Sequence, residues 1–241
     1  MNKQQIITQL KSYANPKNIE GMARFGINIK NAFGVAIPTV RKLAKEIGKN
    51  HKFALELWDS GIHEAKILAS IIDEPKLVTK KQADQWIKDF DSWDVCDQVC
   101  MNLFNKTSFA FERAILWTKK KSEFERRAGF SLMACLASHD KNSSDEKFII
   151  FFPLIKKYSF DERNFVKKAV NWALRQIGKR NINLNKEAIK VAKEILRIDL
   201  KSAKWIASNA IKELENIATR GITQNLTLLN NCKNKFNRAS R

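Results

Sequence analysis

Residues 90–97 read Phe-Asp-Ser-Trp-Asp-Val-Cys-Asp, and within them Trp93 and Asp97 stand four apart. On a helix that spacing puts both side chains on one face, so a carboxylate lies beside an aromatic wall. Arg126 and Arg127 open a later apolar segment, and Trp172 precedes Arg175 by three, again within one helical face. Gathered on one concave surface, Trp93, Asp97, Arg127, Trp172 and Arg175 make a pocket of one acid, two aromatic faces and two guanidinium groups. Indole rings suit stacking and cation–π contact, and guanidinium groups suit phosphate. Each residue also has a structural use. The tryptophans can pack between helices, Asp97 can pair with a basic residue of a neighbouring helix, and the arginines can bridge carboxylates.

The elements that must position these residues read as helices. Eight Gly and four Pro are few for 241 residues, Asn-Gly and Asp-Gly are missing, and apolar residues recur at helical spacing. An all-α fold of about a dozen helices, each about 10 to 18 residues long, is expected. Breaks fall at Asn15-Pro16, Ile37-Pro38, Gly48, Gly61, Glu74-Pro75, Thr107-Ser108, 141–144 and Gly178. Thr79 and Gln82 have the spacing of a capping box opening the helix of Trp86, and Pro38 suits a first helical turn. An Ala-rich apolar cluster following a charged or small residue recurs at His63–Ala69, Arg127–Leu132, Lys168–Ala173 and Ala203–Ala207, with Trp93–Val99 filling the first interval. A period of about 30 to 40 residues is that of stacked helix pairs. The expected architecture is therefore an α-solenoid of HEAT-like pairs over 1–219 with a concave basic groove. Residues 220–241, which are basic and rich in Asn, read as a poorly ordered tail. Trp58, Trp86, Trp117 and Trp205 are assigned to the core or to repeat interfaces.

Forty-four Lys and Arg against 25 Asp and Glu give a formal charge of +19. A polyanionic partner offsets the self-repulsion of such a chain, and nucleic acid, an anionic membrane surface and an acidic protein are the candidates. No stretch approaches the roughly 18 apolar residues of a membrane span, and MNKQQIITQLKSY lacks the apolar core of a signal peptide. A cytoplasmic, monomeric protein with no membrane association is expected. Cys96 and Cys100 stand one turn apart in an apolar run with no nearby His, and His51, His63 and His139 are scattered, so neither metal nor cofactor is expected.

Five strings in order give the chain a family likeness: Phe33-Gly-Val-Ala-Ile-Pro38 before Arg41-Lys42, Leu57-Trp58 before His63-Glu64, Ser92–Asp97, Arg126-Arg127-Ala128, and Trp172-Ala-Leu-Arg175. From about Phe33 to Leu214 the sequence resembles the AlkD-type DNA glycosylases of the HEAT-like DNA alkylation repair proteins. The resemblance implies hydrolysis of the N-glycosidic bond of cationic alkylated purines, such as N7-methylguanine or N3-methyladenine, in double-stranded DNA. It also implies a lesion processed without flipping into a deep pocket. Asp97 matches the family's catalytic carboxylate, Trp93 and Trp172 its aromatics against the lesion's sugar and backbone, and Arg127 and Arg175 its DNA-contacting arginines. The sequence departs where the family presents an aromatic residue near the N-terminus, since Glu20-Gly21-Met22-Ala23 offers none, and where a DNA-contacting Lys would follow Arg127, since Cys135 stands there.

Such chemistry is coherent with these residue types. A purine alkylated at N7 or N3 is already cationic and departs without protonation. What remains is to stabilise an oxocarbenium-like sugar and to orient water, and a carboxylate in a partly desolvated groove does both. Two further readings stay open: a non-catalytic HEAT-like module that binds DNA or structured RNA through the same groove, and a protein-interaction solenoid with an acidic partner.

Overall fold

The computed structural model describes residues 2–216. The basic tail expected over 220–241 lies outside them, as does Cys232. Every regular element among the described residues is helical. The chain begins with α1 (Lys3–Ser12), α2 (Pro16–Arg24) and α3 (Ile37–Ile47), followed by α4 (His51–Trp58) and α5 (His63–Ile72). Next come α6 (Lys80–Trp86), α7 (Trp93–Asn102), α8 (Ala110–Thr118) and α9 (Glu123–His139). The last are α10 (Glu146–Ile149), α11 (Phe152–Lys157), α12 (Asn164–Gly178), α13 (Ile182–Leu196) and α14, described over 201–216. Several are shorter than the sequence reading expected, down to the 4 residues of α10 and the 6 of α11. Short outer helices gain their stability from packing rather than from propensity.

Helix boundaries follow local chemistry. Asn15 and Asn50 accept backbone N–H bonds at the starts of α2 and α4, and Pro38 sits in the first turn of α3. The capping box expected at Thr79 is only half made. Thr79 Oγ1 accepts from Gln82 N at 3.1 Å, but the Gln82 side chain donates to Asp73 Oδ2 at 2.9 Å instead of returning to the cap. Buried Asp73 needs that donor, and its need wins over the local box.

Within the pairs, α4 packs on α5, α8 on α9 and α11 on α12, while α3, α5, α7, α9 and α12 stand side by side in a row. Residues of α5, α7, α9 and α12 in that row line adjoining clefts. Hydrogen bonds between successive repeats carry the periodicity: Arg127 to Asp97 spans 30 positions, Trp58 to Asp89 spans 31, Trp117 to Asp84 spans 33 and Asn171 to Ile206 spans 35. Gly129 shows why small residues recur in the inner helices. A Cβ there would lie 2.6 Å from Thr118 N and 2.9 Å from Ala114 O, so any side chain would force α8 and α9 apart. One apolar core runs from Ile6 to Leu214. Trp58 and Trp86 stack within it at 3.9 Å, and Trp117 lies beside Phe104 at 5.3 Å. Trp205 departs from the core assignment: it is 41% exposed, with the Lys167 amine 5.4 Å from its ring centre.

Candidate active site

The site is built from equivalent turns of three adjacent inner helices. On α7, Trp93 and Asp97 lie one turn apart; on α9, Arg127 and Ser131 lie one turn apart and face them. Arg127 Nε and Nη2 donate to the two carboxylate oxygens of Asp97 at 3.1 and 2.7 Å, and Ser131 Oγ donates to the first of these at 2.7 Å. Arg127 Nη1 donates to the Phe165 carbonyl on α12 at 2.6 Å, so one guanidinium ties three helices together. Burial works against its charge, but the Asp97 carboxylate raises its pKa above the ordinary arginine value. The Asp97 side chain keeps 16% of its surface, and that surface is its only route to a ligand.

Trp93 is fixed from the other side. Its indole N–H donates to the Phe25 carbonyl at the end of α2, at 3.0 Å, and the Arg127 guanidinium lies 6.0 Å from its ring centre. Gly26 then lets the chain turn across the groove. It has φ +72°, and a Cβ there would meet Phe165 at 2.9 Å. A cleft of about 250 Å³ results, lined by Phe25, Trp93, Asp97, Arg127, Phe165, Lys168 and Trp172. A wider groove of about 700 Å³ adjoins it, sharing Trp93, Asp97 and Trp172 and continuing over α2 and α5. Among the described residues no cluster of His, Cys, Asp and Glu could hold a metal ion.

Comparison with known proteins gives the chain its family and fold. Residues 6–214 match the DNA alkylation repair enzyme family. The chain belongs to that family. An uncharacterised protein of Listeria innocua serovar 6a, Lin0241, is 21% identical over 222 residues, which cover 90% of this chain and 97% of that one. A solved structure described as a new family of proteins related to the HEAT-like repeat DNA glycosylases, with affinity for branched DNA structures, superposes with a TM-score of 0.78 at 23% identity. It covers 92% of this chain and 95% of that one. The fold is accordingly the HEAT-like repeat fold of that group.

Against the site expected from sequence, Trp93, Asp97, Arg127 and Trp172 converge on one cleft, and Arg175 does not. The Arg175 guanidinium pairs with Glu213, which Lys179 also contacts, and it is not among the residues lining the cleft. Arg126 turns the other way, donating to Thr118 O at 3.1 Å and to Asp161 at 2.6 Å, with Arg163 on the same carboxylate. Burial raises the Asp161 pKa, but its bonds from Arg163 and Arg126 outweigh that and hold it below the usual range. Cys135 is buried in α9, where burial pushes its thiol well up, and it offers nothing to the groove.

Three lining residues escaped the sequence reading. Phe25, 73% exposed, puts an aromatic ring at the cleft from just beyond the end of α2, where residues 20–23 offered none. Its signal was an aromatic followed by Gly just beyond a helical run. Phe165 and Lys168 precede Trp172 by seven and four, a spacing that puts all three on one face of α12.

Proposed function

We propose that this protein is a DNA repair glycosylase that hydrolyses the N-glycosidic bond of cationic alkylated purines, N7-methylguanine and N3-methyladenine, in duplex DNA. The observation that carries this reading is the Asp97 carboxylate. It is oriented by Arg127 and Ser131, and its remaining surface opens into a cleft walled by Trp93 and Trp172. As the base leaves with its charge neutralised, positive charge appears on the deoxyribose. A fixed carboxylate next to it lowers the barrier because no reorganisation is needed at the moment of reaction. The indole faces add roughly 0.5 to 2 kcal/mol against a cation. The free edge of Asp97 orients the attacking water. Lys168, exposed at the rim, meets phosphate, and the +19 charge draws the duplex in.

A second reading has its own support. Asp97 has a complete structural job in holding Arg127, and the solved relative is described by its affinity for branched DNA. The same groove then holds DNA without cutting a bond. Single-turnover release of base from a defined N7-methylguanine duplex, run beside binding to linear and branched DNA, separates the two. Released base carries the glycosylase reading; binding with no release carries the other. Absence of any salt-dependent DNA binding defeats both.

A further inference from the structure

At the far end of α7 from Trp93, a second group of cations gathers around the C-termini of the inner helices. Lys49 Nζ donates to Ile71 O and Asp73 O, each at 2.7 Å, and so caps α5. Lys106 Nζ donates to Asn102 O at 2.7 Å and caps α7. The device recurs on α9, where Arg180 Nη1 donates to Ala137 O at 2.9 Å. Helix C-termini carry partial negative charge and repel phosphate. Capping each with a cation reverses the sign of this edge.

Arg41 and Lys45 of α3 complete the group. With Lys49 they line a groove of about 710 Å³ that shares no residue with the Asp97 cleft. Arg41 reaches over α7 to neutral partners only, Gln98 and Asn102, at 3.5 and 3.4 Å. Elsewhere on the surface Lys80, Lys156 and Lys204 each meet a carboxylate. Among the described residues, Arg41, Lys45, Lys49 and Lys106 make no ion pair, and all four are exposed. Asp73 and Glu74 lie near Lys49, but Asp73 is buried and engaged by His51 and Gln82. Burial lowers the Lys106 pKa and the charges of Lys49 and Arg41 lower it further, as expected of a cation beside other cations.

We infer that Arg41, Lys45, Lys49 and Lys106 form a binding site for the phosphodiester backbone of the DNA strand opposite the one whose sugar meets Asp97. This rests on the reading that the concave groove holds duplex DNA. Asp97 and Asn102 are five residues apart on α7, about 7.5 Å of helix. Adding the reach of an Arg or Lys side chain carries the span past the roughly 6 Å of a minor groove to the roughly 12 Å that separates the backbones across a major groove. The edge therefore sets the register of the duplex while the cleft takes the damaged nucleotide.

The test uses the full chain, a linear duplex with one N7-methylguanine, and the variants Arg41→Gln and Lys45→Gln alone and combined. Neither residue caps a helix, so the fold is left intact. The double variant should show a slope of log K against log salt shallower by about 1.8, about 0.9 for each lost contact. Neutral methylphosphonates placed in the opposite strand should weaken wild type more than the double variant, which keeps only the Lys49 and Lys106 contacts. Equal slopes and equal methylphosphonate sensitivity in the two proteins overturn the inference. So does a variant that loses sensitivity only to substitutions in the lesion strand. Base release by wild type on the same duplex reports separately on the glycosylase reading, so the edge can fail while that reading stands. A wild type that binds no duplex overturns both.

Discussion

Replacing Asp97 by Asn removes one charge and leaves shape nearly unchanged, and the structure sets the size of two separable effects. The first is on stability. Arg127 is 5% exposed and loses its anionic partner; the new amide oxygen still accepts one N–H, but the amide nitrogen faces a second donor. Breaking a buried pair from one side costs about 3 to 5 kcal/mol, and the retained acceptor places this case near about 3. In a chain of this size the melting temperature then falls by about 6 to 12 °C. The second effect is on the reaction. With the sugar about 4 Å from the carboxylate and the guanidinium about 4 Å behind it, an effective dielectric of about 20 gives an attraction of about 4 kcal/mol opposed by about 2. Asp97→Asn deletes the attraction and leaves the guanidinium's repulsion, so it costs about 4 kcal/mol, roughly a thousandfold in rate, and loss of the water-orienting oxygen adds to it. Single-turnover release of N7-methylguanine, measured well below the lowered melting temperature, reads the second effect alone. Adding Arg127→Gln to Asp97→Asn makes a neutral pair, which should restore most of the stability but leave excision at least about thirtyfold below wild type, because the net attraction of about 2 kcal/mol is gone. If the double variant releases base within about threefold of wild type, Asp97 is only a strut and the catalytic assignment is wrong.

Trp93→Ala should lower excision while costing clearly less stability than Trp117→Ala, because Trp117 is 1% exposed with its indole N–H on Asp84 and its loss costs about 3 to 5 kcal/mol; thermal melts of both variants decide this, and equal losses return Trp93 to the core. Phe25→Ala should leave the melting temperature almost unchanged, since the ring is exposed and only its backbone carbonyl holds Trp93, yet weaken binding of the methylated duplex in a titration. His63 is buried, which lowers its pKa, but the Asp94 hydrogen bond and charge, with Glu64 and Asp91, raise it above the ordinary histidine value overall. Its stabilisation is therefore complete below about pH 6.5 and is lost as pH rises through the raised folded-state value. Melts of His63→Gln between about pH 6 and 8.5 should show a flatter pH dependence than wild type, and parallel curves refute the linkage.

How far the site was legible depended on the range of each interaction. Trp93 and Asp97 share a helical turn, so their spacing alone placed them together, and Arg127 followed because repeat period and helix register agree over 30 residues. Arg175 looked equivalent by the same logic. Its fate was decided by Glu213, 38 positions away in the next repeat, and no local pattern shows which of two neighbouring carboxylates a long side chain will reach. Phe25 was missed because its position depends on a single left-handed turn at Gly26 packed against Phe165, a contact between parts of the chain about 140 residues apart. The fold was legible for the opposite reason. Periodic Ala and Gly clusters act at every repeat, as Gly129 shows, so a misread at Trp205 or at the Thr79 cap leaves the architecture unchanged.

The pairing of Asp97 also bears on which bases the cleft suits. A neutral purine must gain a proton to leave, and the cleft is poorly equipped to give one. Asp97 accepts from Arg127 on both oxygens and from Ser131 on one, so holding a proton means breaking a charge-assisted bond in a buried pair. Arg127 is kept charged by the same contact and does not donate its proton. Among the described residues, Lys168 is the one other titratable group lining this cleft, and it lies exposed at the rim. A substrate that brings its own positive charge removes the need for an acid and is attracted to the indole faces before any bond breaks. The donors that occupy the oxygens of Asp97 thus also fix the carboxylate in place at the cleft. On the proposed glycosylase reading, a preference for cationic alkylpurines follows from the same geometry as the ion pair across α7 and α9.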